Sequence, residues 1–107
     1  MTDKIIVYST CSDAKEAQEL AVKLVEQRLA GCVNVLPAVG SFYRWKGKVE
    51  QDTEILLIIK TSRELLERVR AEWERSHSYE MPELIAVPIV DGAPNYLNWL
   101  DTELAKA

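Results

Sequence analysis

Histidine is nearly missing from this chain: His77 is the only one in 107 residues, and the two cysteines, Cys11 and Cys32, stand apart without a Cys-x-x-Cys spacing. One imidazole cannot furnish an acid and base pair, and the cysteine spacing suggests neither a zinc knuckle nor a redox motif. Also lacking are a nucleophile elbow, a Gly-rich phosphate loop and a metalloprotease helix, so no enzyme is expected. There is no basic excess, since 13 Lys and Arg face 17 Asp and Glu for a net charge of -4. Without a basic field to attract phosphate backbones, nucleic acid is not an expected partner. No apolar run approaches the length of a membrane span, and Met1-Thr2-Asp3-Lys4 lacks the charged and apolar regions of a signal peptide. A cytoplasmic location without membrane contact is therefore expected. What is present is an ordinary globular balance, 48% hydrophobic and 28% charged residues. At this length it predicts one domain spanning residues 1–107 with a buried core.

The most informative stretch is Phe42 to Thr61. It opens with aromatic and basic residues, turns at Lys46-Gly47-Lys48, crosses charges from Glu50 to Glu54 and ends in five apolar residues, Ile55 to Ile59. A glycine in the turn and β-branched or aromatic arms predict a β-hairpin. A half-exposed strand alternates apolar and polar residues, whereas Ile55 to Ile59 are apolar on both faces. Both sides of that strand must be covered.

In chain order, Ile5 to Tyr8 predict a first strand ending near Cys11. Asp13 and Glu16 form a capping-box pattern, and Ala17, Leu20, Leu24 and Leu29 recur at helical spacing until Gly31 supplies a stop. Cys32 begins a second strand that runs into the hairpin, with a bulge or bend expected at Pro37. Thr61 and Glu64 repeat the capping pattern before a second helix that buries Leu65, Leu66, Val69 and Trp73. Its other face, with Glu67, Arg70, Glu72 and Arg75, is expected in solvent. Arg75 to Pro82 are expected as a loop, Leu84 to Val90 as an edge strand or bulge around Pro88, and Pro94 as the start of a last helix. Tyr96, Leu97, Leu100 and Leu104 would form that helix's buried face.

The order β-α-β-β-α-β with an extra C-terminal helix is an α+β, ferredoxin-like sandwich. Its two helices cover one sheet face. Consecutive apolar residues in several strands make the opposite face water-averse too, and further copies of the chain packed through that face are the economical cover. Tyr43 and Trp45 then anchor a subunit contact or line a ligand cleft. Lys60, with Tyr79, Glu80 and Glu83 in the next loop, is expected to gather at one end of the sheet. Such a group suits a small anionic or polar ligand at a subunit boundary, or equally an interfacial ion pair.

Five segments carry a family resemblance: Glu26 to Asn34, Tyr43 to Val49, Ile58 to Thr61, His77 to Glu83 and Tyr96 to Leu100. In these the chain resembles the CutA divalent-cation tolerance family over nearly its whole length. The resemblance implies a ferredoxin-like fold, a homotrimer similar in architecture to PII signalling proteins, and a link to tolerance of copper and other divalent cations. Copper ligands proposed for such proteins, a cysteine late in the first strand and two histidines before a Pro-Tyr pair, fall here on Ser9, Ser76 and His77. Ser78 stands where the family's loop has proline. A hydroxyl is a poor copper donor beside a thiolate or imidazole. His77 is thus the retained metal candidate, with Cys11, two residues from Ser9 on the same strand face, as its possible compensation. Without metal, His77 is a locally bonded or exposed side chain.

Overall fold

The structure is a computed structural model and describes residues 2–76 and 83–106. Among them four strands, β1 (Lys4–Cys11), β2 (Cys32–Trp45), β3 (Lys48–Ser62) and β4 (Leu84–Pro88), form one antiparallel sheet in the order β2-β3-β1-β4. Helices α1 (Ala14–Glu26) and α2 (Leu66–Ser76) follow β1 and β3, with a 3-10 turn at Arg63–Leu65 before α2, and α3 (Pro94–Glu103) ends the chain. This is the ferredoxin-like sandwich with an added helix that the pattern predicts.

Alternation assigns the two sheet faces. Ile5, Val7, Ser9 and Cys11 of β1, with Leu57, Ile59 and Thr61 of β3, are buried beneath the helices. They meet Ala17, Leu20 and Leu24 of α1 and Leu65, Val69 and Trp73 at the second helix in one core. The other face carries Ile6 and Tyr8 of β1, Leu56, Ile58 and Lys60 of β3, Leu36 of β2, and Ile85 and Val87 of β4. Helix α3 covers only the end of this open face where β1 begins, as Lys4 reaches Asp101 at 2.8 Å and the Lys60 ammonium stands 5.9 Å above the Tyr96 ring. Ile85 remains 54% exposed and Leu36 37%.

The hairpin follows its sequence. Lys46 and Gly47, at φ 50° and 82°, make a two-residue turn between paired Trp45 and Lys48, the geometry that matches strand twist. A register shift between Leu36 and Val39, with Ala38 at φ 61°, is the bulge expected around Pro37. Beyond it the arm, Val39–Trp45 against Lys48–Glu54, runs about 23 Å. The radius of gyration, 14.4 Å, therefore exceeds the value of about 13 Å for a compact chain of this length.

Several local expectations change. Asp13 caps α1, accepting from the Lys15 amide at 3.3 Å, but the helix ends at Glu26 rather than at Gly31. Arg28 takes the left-handed position at φ 59°, while Leu29 N–H bonds Leu24 C=O at 2.9 Å and Arg28 N–H bonds Val25 C=O at 3.0 Å. This is a Schellman closure around a non-glycine residue. Arg28 is held there by donating from Nε to the Glu103 carbonyl at 2.9 Å and from Nη2 to the Thr102 carbonyl at 2.8 Å, satisfying the last turn of α3. Gly31 is needed for space instead, since a Cβ there would lie 2.3 Å from Leu100 Cδ1. Thr61 is not a helix cap: it is buried and its hydroxyl donates to the Leu29 carbonyl at 2.6 Å. Glu72 is buried, not solvated, and accepts at 2.9 Å from both Gln27 Nε2 and Arg75 Nη2. Arg75 and Ser76 belong to α2, and β4 stops at Pro88. On α3, Leu100 is buried while Tyr96 is exposed, and Leu104, buried too, lies just past the helix end.

Candidate functional site

The antiparallel register decides which candidate residues meet. Lys60 pairs with Ile6, and Ile6 pairs with Val87, four residues beyond Glu83 and so about 13 Å along the sheet. The expected gathering of Lys60 with Glu83 therefore does not form within one chain, because β3 and β4 both run against β1 and carry these residues to opposite ends. Glu83 is exposed at the end where β1 finishes. His77, Tyr79 and Glu80 lie outside the described residues.

Cys11 closes β1 opposite Ile55 and has no exposed surface. Burial pushes its thiol up to about 11, and the nearby carboxylates of Glu16, Glu54 and Asp13 add to the effect. The thiolate needed for soft-metal binding or nucleophilic attack is thereby disfavoured at neutral pH. Neither cysteine forms a disulfide. Ser9, one strand period earlier, is fully buried and its Oγ accepts a hydrogen bond of 2.5 Å from the Trp73 indole N–H. The hydroxyl at that position serves the core. Ser76 Oγ lies 3.5 Å from Glu72 Oε2. Among the described residues, no group of three or more His, Cys, Asp or Glu side chains is placed to hold a metal ion.

The opposite end of the open face holds a second cluster, which the sequence reading only partly anticipated. Lys60 is half-buried, its cation faces Tyr96, and the Tyr96 and Trp99 rings stack at a tilt with centroids 5.5 Å apart. Spacing of three along a helix was the available signal for that aromatic pair. Beside them Lys4 is buried and donates to Asp3 at 2.7 Å and Asp101 at 2.8 Å. Burial alone lowers the Lys4 ammonium, but the hydrogen bonds to Asp101 and Asp3 outweigh it and hold the group above the ordinary lysine value. Asp101 is correspondingly held below the usual carboxylate range by Lys4 and then Lys106. On the arm, Tyr43 donates its hydroxyl to Asp52, and Tyr43, Trp45, Glu50 and Asp52 share the side that continues the open face.

Comparison with known proteins places this arrangement. The family described as CutA1 divalent ion tolerance protein matches residues 5–103. "Protein CutA, chloroplastic" of Arabidopsis thaliana is 45% identical over 96 residues, covering 90% of this chain and 53% of that protein. The chain thus spans about half the length of the first curated relatives it matches. "Divalent-cation tolerance protein CutA" of Thermus thermophilus is 40% identical over 95 residues, covering 89% and 92% of the two chains. The solved structure of CutA1 from Oryza sativa superposes with a TM-score of 0.93 at 39% identity, covering 97% of this chain and 95% of the other. The Thermus thermophilus structure gives 0.92 at 37%, covering 95% and 99%. With the fold matched and the family model spanning residues 5–103, the chain belongs to the CutA1 divalent ion tolerance protein family.

Proposed function

We propose that this chain acts in divalent-cation tolerance as a closed trimer, assembled through the open sheet face and the hairpin arm, and takes a divalent cation or small ligand at its subunit boundaries. The family match over residues 5–103 carries the tolerance role. The exposed apolar residues Leu36, Ile85 and Val87 on a face that α3 leaves uncovered support the assembly. The number three comes from the resemblance. The family is described as one of divalent ion tolerance proteins, and this reading assigns the chain no catalytic step. A cytoplasmic location is part of this reading, and fractionation of the native cell tests it, since the Arabidopsis relative is named as chloroplastic.

The described donors do not fit a resident copper ion. Ser9 is occupied by Trp73, Cys11 is buried with its thiol raised, and His77 is the one family position retained. That observation favours a second reading, a trimer that serves as an interaction or structural module with no metal of its own. Calorimetric titration of the intact protein with copper separates the two. The metal reading expects saturable binding that weakens at least tenfold in His77→Ala; equal binding by both proteins removes His77, and no binding by either supports the module. Lys60, Tyr79, Glu80 and Glu83 are the residues proposed for a small anionic or polar ligand. Because Lys60 and Glu83 sit at opposite sheet ends, such a site requires side chains from two copies.

A further inference from the structure

We draw no further inference here: the strongest candidate, the apolar groove lined by Ala21, Val22, Val25, Glu26 and Val33 between α1 and the edge strand β2, carries nothing because nothing in the structure shows what covers it.

Discussion

Ser9 and Trp73 form a polar contact inside an apolar core, and their bond connects the sheet to α2. Ser9→Ala removes this hydrogen bond to the Trp73 indole and is expected to cost about 0.5–1.5 kcal/mol. Chemical denaturation measures it, and a loss below a few tenths would mean that the contact contributes little. Gly31 presents the opposite problem, one of space. Gly31→Ala pushes a methyl group into fully buried Leu100 and is expected to destabilise by about 1–3 kcal/mol through overpacking. The companion Leu100→Ala, Gly31→Ala should cost less than the two single losses summed, since removing the obstructing branch relieves the clash; simple additivity would contradict it. Neither residue's job was legible beforehand. A serine and a glycine look alike in a string whether they face water or a neighbour 64 or 69 positions away, because the partner is supplied by tertiary packing.

Helix α3 is tied down by contacts of different kinds: Leu100, and Leu104 just past its end, in the core, Arg28 on its terminal carbonyls, Lys60 against the Tyr96 ring, and the Lys4–Asp101 pair. The ion pair gives it a pH signature, shared with buried Glu72, whose carboxyl is held low by hydrogen bonds from Gln27 and then Arg75. Unfolded Glu and Asp titrate at about 4.3 and 3.9. With folded values below these, both groups contribute in full above that range and lose the contribution as pH falls through the folded values. Lys4 behaves oppositely, contributing in full below about 10.4 and less as pH rises through its higher folded value. Thermal midpoints should hold level from neutral pH to about 4 and then drop. Glu72→Gln should shrink the acid drop, and an identical limb would show that Glu72 does not drive it. Much at this level could be read from the string. The turn at Lys46-Gly47, the Asp13 cap, Pro94 at the start of α3 and the bulge after Leu36 all rest on local backbone rules. The end of α1 could not, because Arg28 accepts a left-handed conformation only in company with α3, far along the chain.

The sheet as a unit has one face under two helices and another that α3 covers at one end only. Consecutive apolar residues in β3 announced that second face, and Ile85, Val87 and Leu36 bear it out as exposed apolar surface. The ligand group read for one end of the sheet was not announced so well: proximity in the chain placed Lys60 with Glu83, while antiparallel pairing with β1 puts these two residues at opposite ends. An exposed apolar strip of this kind, continued along the arm by Tyr43 at 39% exposure, is the usual mark of a surface made for other chains. Sedimentation equilibrium of the wild-type protein at low concentration tests this most directly, with Ile85→Lys beside it. A closed trimer sediments at three times the 12.2 kDa chain mass, and Ile85→Lys at a lower mass. A folded wild-type protein that sediments as a single 12.2 kDa chain would contradict it.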